Sequence, residues 1–485
     1  MLGGWASAQR LRSPTLPSNT PALYRGLEKA LDEKRAHHGL VNLRRPVPGA
    51  ADFSSNDALS LASTGQIRKA FFEELSRYPD FSLGSTGSRL LDGNNTYVED
   101  IEQEVADFHR AETGLITNSG YEANGAIFTA IPQPGDVILY DELIHASVHD
   151  GMKHTKASSK LPFLHNDVDS FASTLRSVRD AHPRIRAGES TIFVAVETVY
   201  SMDGDVCPLA EMVATAKQIF PFTQTVQFIV DEAHSTGVIG RRGSGLVCLL
   251  GLEKEIAIRV HTFGKALGSH GAIVLANDTI RNTLINFARG VIYTTAPSFP
   301  MLAAIRAGYG LLNSGETQQA QDKIQKLIKH FFATMANSMT FARAEFLGMC
   351  SIPVMENWET KPFLSHIVPI WTKEKYNYYL MFHIQLAGYC AWAIDSPVVP
   401  EGTGRVRFVF HANNTLAEVD GLAQTILEFF SEMIELKSSK STPRAAQKVY
   451  RYLSERNLGD GPTVNIQYSK PELVYAETGA VAAAM

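Results

Sequence analysis

Three side chains able to act together, Asp231, His234 and Lys265, lie in one stretch of the chain from Gln227 to Gly268. Asp231 closes the apolar run QFIVD, which reads as a short buried strand. The run RVHTFGK reads as a second strand end and delivers Lys265 into a turn flanked by Gly264 and Gly268. In an open α/β sheet, ligands sit beyond the carboxyl ends of the strands, so the acid and the lysine converge although far apart in sequence. A lysine is a nucleophile toward carbonyl carbon once it is desolvated, and a carboxylate opposite it can hold a ring nitrogen protonated. Those are the two demands that pyridoxal phosphate (PLP) makes of a protein.

Two plainer readings compete. DEAH at residues 231–234 is also the box of a helicase family, whose acids serve magnesium and ATP. That chemistry needs a phosphate loop GxxxxGK[ST], and the one Gly-Lys here, Gly264-Lys265, is followed by Ala266 and has Arg259 where the first glycine belongs. A lysine at a strand end is also, in most proteins, a solvated surface residue. Thr262, the glycine bracket and the Asp-x-x-His upstream argue for imine chemistry instead.

The rest of the chain must position these groups. From Leu23 to His38 the pattern is that of an amphipathic helix, followed by the arginine pair Arg44-Arg45 before Pro46. DFSSNDALSLAS follows as strand and turn, where Asn56 and Asp57 could cap the next helix or face a ligand. A glycine-rich loop, LGSTGSRLLDG, then leads into a helix with Glu99, Asp100 and Glu102 in its first turn. Ser119-Gly120-Tyr121 lies between a short strand and a helix beginning near Glu122; free N–H groups at such a helix start bind anions. The strand GDVILYDELIHAS places His145 at another strand end, where an imidazole could stack on a flat ring or simply be a satisfied polar residue. STIFVAVETVYSMDGD brings Glu197 and Ser201 to the same edge, with a turn at Met202 to Asp205.

Strands and helices alternate in this way through Asp278, the pattern of a mainly parallel sheet covered on both faces. GVIYTTAPSFP adds the hydroxyls of Thr294 and Thr295 before Pro297. Beyond it HIVPIW, GYCAWAI and RVRFVFH read as strands, with helices at Lys373 to Leu386 and Leu416 to Ile434. The expected division is a disordered leader (1–22), an N-terminal arm (23–80), a large domain (81–312), a smaller α+β domain (313–436) and a polar tail (437–485).

A chain of 485 residues, 45% hydrophobic and 20% charged, has the makings of an ordinary folded protein with a large core. A net charge of −5 gives no basic footprint for nucleic acid or an acidic membrane surface. No apolar run approaches the ~18 residues of a spanning helix. Cys207, Cys248, Cys350 and Cys390 show no CxxC spacing, so neither a metal site nor a disulfide framework is expected, and a reducing compartment is. That points to the cytoplasm, although the first 27 residues, free of acid and carrying Arg10, Arg12 and Arg25, also resemble a weak mitochondrial transit peptide.

In series, SSND, GSTGSRLLDG, NSGYEAN, DELIHAS, VYSMDGD, DEAHSTGVIGRRGSG, TFGKALG and IYTTA resemble the α-oxoamine synthases, from about Leu27 to about Glu435. These are fold-type I PLP-dependent transferases, with a mainly parallel sheet in a large domain and a smaller α+β C-terminal domain. They condense an amino acid with an acyl-CoA and release carbon dioxide and CoA. The resemblance implies that Lys265 carries the cofactor as a Schiff base, Asp231 bonds the pyridine nitrogen, His145 stacks on the ring and His234 reaches the cofactor hydroxyl. Ser119, Gly120, Tyr121 and Thr262 would hold the phosphate, and Ser201 belongs to the same cofactor set. Thr294 and Thr295 match hydroxyls that the family donates from a second subunit, which implies a homodimer with shared sites. Asn56 would lie near the substrate, and Arg407 matches the arginine that grips the amino-acid carboxylate.

Within that family, TFGKALGSHGAIVLA and IYTTA most resemble 8-amino-7-oxononanoate synthase of biotin biosynthesis, which joins L-alanine to a pimeloyl thioester. Three features depart from it: Ala58 and Ser60 where the family usually shows Tyr and Gly, Asp395 where the biotin enzymes carry arginine, and a poorly matched Arg44-Arg45. All three lie on the substrate side and leave room for a different acyl thioester of specialised metabolism. An ordinary PLP aminotransferase shares fold and lysine but releases no carbon dioxide. An inactive partner subunit would lack the lysine, which is present here.

Overall fold

The computed structural model describes residues 7–36, 39–43, 48–222, 224–373 and 376–438. The arginine pair, His38 and all but the first two residues of the polar tail lie outside these. The chain divides after Arg44. In the N-terminal unit the expected helix runs Ala22–Ala36. Asp32 on that helix accepts the backbone N–H groups of Arg12 and Ser13 at 2.9 and 2.7 Å, which ties the leader segment to it.

The body begins with β1 (Ala51–Asp52) and then builds one seven-stranded sheet. Its strands are β2 (Thr113–Thr117), β3 (Val137–Asp141), β4 (Ser159–Phe163), β5 (Ile192–Glu197), β6 (Val226–Asp231), β7 (Ile256–Thr262) and β8 (Ala272–Ala276). The spatial order is β2-β8-β7-β6-β5-β3-β4, parallel except for β8, which runs antiparallel to both neighbours. The period-2 alternation sends Val137, Leu139, Val194, Val196, Phe228 and Val230 into a core on one face. Ile138, Phe193, Ala195, Ile229, Ile258 and Val260 go into a core on the other. Helices Val168–Ala181 and Leu209–Ile219 cover the first face, and Gly120–Ala130 the second. The edge strand β4 has no counterpart in the sequence reading, because Lys160 and Pro162 break the apolar pattern as they do on sheet edges.

Four short strands, β9 (Cys350–Ser351), β10 (Ile367–Thr372), β12 (Trp392–Ile394) and β13 (Arg405–Val409), form an antiparallel C-terminal sheet in the order β12-β13-β10-β9. GYCAWAI is split: β11 (Tyr389–Cys390) pairs in parallel with β1, and after the buried Ala391 the chain crosses to β12. Residues 51–53 are thereby joined to the C-terminal region. The helix Gln66–Ser76 packs on the helix Phe299–Ser314, so this part of the expected arm is fixed to the body. Helices Tyr376–Leu386 and Leu416–Ser438 back the small sheet; Glu374 and Lys375, in the expected start of the first, lie outside the described residues. Among the described residues, no helix is long and apolar enough to cross a membrane.

Candidate active site

The carboxyl ends of β3, β5, β6 and β7 open on one edge of the sheet, and the candidate residues collect there. Asp231 ends β6. Its Oδ2 accepts from Asn124 Nδ2 at 2.8 Å and its Oδ1 from the Ala233 N–H at 2.9 Å, so two donors fix the carboxylate. Asn124 comes from the helix Gly120–Ala130, four residues beyond its first residue and so on the same face. Beside Asp231 in the β5–β6 register stands Glu197, 4% exposed. Burial first, and then the charge of Asp231, raise Glu197 well above the usual carboxylate range.

Lys265, half-buried in the turn after β7, places its Nζ 2.8 Å from Nε2 of His234. The Gly268 N–H donates to the Lys265 carbonyl at 2.9 Å and closes that turn. Burial pulls the amine from 10.5 down to about 8, against the opposing pull of Asp231 and Glu197. His234 is buried and held neutral by desolvation and by the neighbouring Lys265. With Nε2 accepting from the lysine, its proton sits on Nδ1, which is buried without a hydrogen-bond partner among the described residues. His145 caps the helix Ala146–Lys153: its Nδ1 accepts from the Ser147 hydroxyl at 2.7 Å and the Ser147 N–H at 3.2 Å, which sets the plane of the ring.

The helix Gly120–Ala130 begins two residues earlier than the sequence suggests, and Ser119 is its N-cap, accepting from the Glu122 N–H at 3.1 Å. A Cβ on Gly120 would come within 2.3 Å of Thr262 Oγ1, so glycine lets the hydroxyl at the end of β7 meet the helix start. The phenol of Tyr121 bonds Asp150 and its ring stands edge-on to His145 at 6.1 Å; its backbone N–H is what it offers at the helix start. Thr294 and Thr295 have exposed side chains, and Thr295 is joined to the same edge by its carbonyl, which accepts from Asn118 Nδ2 at 3.2 Å.

Arg407 and Asn56, 351 residues apart, meet here: Arg407 Nη2 donates to Asn56 Oδ1 at 3.1 Å. Arg407 Nε donates to the carbonyl of Ser201, so Ser201 joins the site through its backbone. Arg407 is 8% exposed, and burial brings the guanidinium from 12.5 to about 10. No carboxylate pairs with it among the described residues. Ser60, where the family usually has glycine, adopts φ +61°, the left-handed region that glycine tolerates best. Its hydroxyl offsets the strain by donating to Asn413 Oδ1 and accepting the Asn413 N–H, both at 3.0 Å. Asp395 lies beyond β12, its carboxylate accepting from the Ser396 N–H at 2.9 Å and from Asn377 Nδ2 at 3.5 Å.

Three residues outside the sequence-based set belong to this edge: Asn124, Glu197 in its role beside Asp231, and His366. The last is 2% exposed with its ring 6.3 Å from that of His234, and burial, then Arg407, lower it to about 3. Asn124 lies in the quoted NSGYEAN run and helical spacing could have found it; nothing in HIVPIW marks His366.

The arrangement fits PLP on its own terms. A depressed lysine amine, a doubly anchored carboxylate, a plane-fixed imidazole and a helix start with a hydroxyl beside it supply a partner for each polar part of that cofactor. Fold and site together define a fold-type I PLP-dependent transferase. The family model for aminotransferases of class I and II matches residues 49–426. An aminoacyl transferase, sphA, of Aspergillus fumigatus is 50% identical over 456 residues, covering 93% of this chain and 97% of its own. An 8-amino-7-oxononanoate synthase of Emericella nidulans is 45% identical over 395 residues, covering 80% and 91%. The solved serine palmitoyltransferase of Sphingomonas wittichii shares the fold with a TM-score of 0.69 at 21% identity, covering 85% of this chain and 98% of that one. The chain belongs to the aminotransferase class I and II family, among its PLP-dependent α-oxoamine synthases.

Proposed function

We propose that the protein condenses an amino acid with an acyl thioester, with loss of carbon dioxide and release of the thiol. The observation that carries this reading is Arg407. A guanidinium this deeply buried, with three of its five N–H groups uncommitted among the described residues, is costly unless an anion completes it. An amino-acid carboxylate held bidentately is such an anion, and Asn56 stands beside it.

When bound, PLP supplies an electron sink for the carbanion that decarboxylation or proton loss leaves at the α-carbon. Lys265 would be the attachment point, and its free amine, brought by burial to about 8, is suited to moving the α-proton at neutral pH. Asp231 would hold the ring nitrogen, His145 would cover one face of the ring and His234 would bond the ring hydroxyl. The N–H groups of Gly120 and Tyr121, with the hydroxyls of Ser119 and Thr262, would receive the phosphate. Thr294 and Thr295 of a second copy complete it in a homodimer.

For the amino acid we favour L-alanine, and for the donor an acyl-CoA whose chain carries no charge. Asp395 stands where the biotin enzymes carry an arginine, and the 50% identical relative is named an aminoacyl transferase. Pimeloyl-CoA, giving 8-amino-7-oxononanoate for biotin, is the second reading. The 45% identical relative and the engagement of the Asp395 carboxylate with Asn377 support it. A carboxylate 4 Å from another costs ~4 kcal/mol at an effective dielectric of 20, enough to decide between chains. CoA release with heptanoyl-CoA and with pimeloyl-CoA, in wild type and Asp395→Arg, separates the two. A wild-type preference for pimeloyl-CoA sinks the uncharged-chain reading, and absence of CoA release with any acyl-CoA sinks the condensation itself.

A further inference from the structure

The turn from Ser201 to Asp205 is held by charges on both sides, and none of them has a part in the reaction described above. Toward the large sheet, Asp205 Oδ2 accepts from His165 Nε2 at 2.5 Å and from Asn166 Nδ2 at 2.6 Å. His165 Nδ1 is in turn 2.8 Å from Asp141 Oδ1 at the end of β3. Burial opposes its charge, but hydrogen bonds to the two carboxylates prevail and raise it to about 10, so it bridges them as a cation. Toward the C-terminal sheet, Asp203 Oδ1 accepts from Trp371 Nε1 at 2.8 Å and from Arg405 Nη1. Arg405 is 2% exposed and lies 4.3 Å over the Trp371 ring. Gly204, at φ +68°, permits the close fit: a Cβ there would meet the Ile367 carbonyl at 2.0 Å.

Arg405 and Arg407 share one face of β13, and the turn engages both: Asp203 takes the first by its side chain, Ser201 the second by its carbonyl. Arg405, whose Nε and Nη2 donate to the carbonyl and hydroxyl of Thr403 at 2.9 and 3.0 Å, is thus held on all sides, and through it Asp203 ties β13 to the turn. The Ser201 carbonyl then fixes the axis of the Arg407 guanidinium and leaves the Nη1 edge for substrate.

Resting on the reading of Arg407 as the carboxylate receptor, we propose that Asp203 is a positioning residue for amino-acid binding, acting through Arg405 and the Ser201 carbonyl on Arg407. It touches neither cofactor nor substrate. Losing a charge-assisted contact that aligns a bidentate grip weakens binding by roughly tenfold to a hundredfold.

The test uses the PLP-loaded enzyme and L-alanine, with Kd from calorimetry and kcat and KM from CoA release. Asp203→Asn is expected to raise the alanine Kd and KM by about tenfold or more, with kcat within about threefold and the acyl-CoA KM unmoved. The double variant Asp203→Asn/Arg407→Lys is expected to bind alanine no more weakly than Arg407→Lys alone, since both changes act on one contact. Trp371→Phe, which keeps a smaller aromatic ring under Arg405 and removes the Nε1 donor, gives a milder loss of the same kind and serves if Asp203→Asn does not fold. Wild-type alanine affinity in Asp203→Asn and Trp371→Phe, additive losses in the double variant, or equal losses in kcat and the acyl-CoA KM would overturn the proposal and leave the function reading intact. If Arg407→Lys itself leaves amino-acid binding unchanged, the function reading falls first and this proposal with it.

Discussion

Lys265 offers a measurement that needs no substrate. Burial depresses its amine to about 8, so in cofactor-free protein at pH 7 about one molecule in ten carries it neutral, against about one in three thousand for an unperturbed lysine. The perturbation is Asp231→Asn. Asp231 and Glu197 both raise the amine, so removing the Asp231 charge lowers it further. An opposite charge a few ångströms away is worth about 1–3 pKa units. The change should fall at the low end, because Glu197 still raises the amine when the Asp231 charge is gone. A midpoint about one unit below wild type is expected for Asp231→Asn, and about two below for Asp231→Asn/Glu197→Gln. The assay is acylation of cofactor-free protein by acetic anhydride across pH 6 to 11, read at the Lys265 peptide by mass spectrometry with free N-acetyl-lysine as the reference. The sign also fixes a stability effect. Between about 8 and 10.5 the unfolded chain keeps this proton and the folded chain does not, so this group's contribution to stability rises with pH there. A wild-type midpoint near 10, or a midpoint that rises in Asp231→Asn, would refute the balance of burial against the two carboxylates.

Gly120→Ala pushes a methyl to within 2.3 Å of Thr262 Oγ1 and should weaken PLP binding by roughly tenfold or more, with Thr262→Ala restoring part of it; equal cofactor affinity in Gly120→Ala would remove the close-approach argument. Lys265→Ala protein mixed with protein altered at both Thr294 and Thr295 should regain activity in hybrid dimers, which hold one intact site. Proven subunit exchange without recovery argues against sharing. At Ser60, alanine keeps the left-handed strain and loses both bonds to Asn413, whereas glycine loses the bonds and relieves the strain. Ser60→Ala should therefore unfold at lower urea than Ser60→Gly by about 1 kcal/mol in stability, and the reverse order would show that the φ value carries no cost.

The chemistry was legible in sequence wherever it sits at the end of a regular strand or the start of a helix. Asp231 closes an apolar run, Lys265 sits in a glycine-bracketed turn and Ser119 precedes a helix, so local pattern alone puts each at a sheet edge. The same logic gave the two-face parallel sheet from continuous apolar strands. It failed at β4, where an edge strand needs little apolar surface, and at GYCAWAI, where one pattern is divided between two sheets, Tyr389–Cys390 to one and Trp392–Ile394 to the other.

The sequence by itself determined which residues could do chemistry, because residue type, strand alternation and helix capping are properties of a few consecutive positions. Only the tertiary structure decided what those residues face. That Arg407 lies beside Asn56 and, among the described residues, without a carboxylate, that Glu197 stands in register beside Asp231, and that Asp203 braces Arg405 depend on strand order and on β13 meeting the turn after β5. Desolvation follows the same rule: burial brings Lys265 to about 8 against Asp231 and Glu197, with Arg407 acting beside burial, and no local pattern joins these three separated segments.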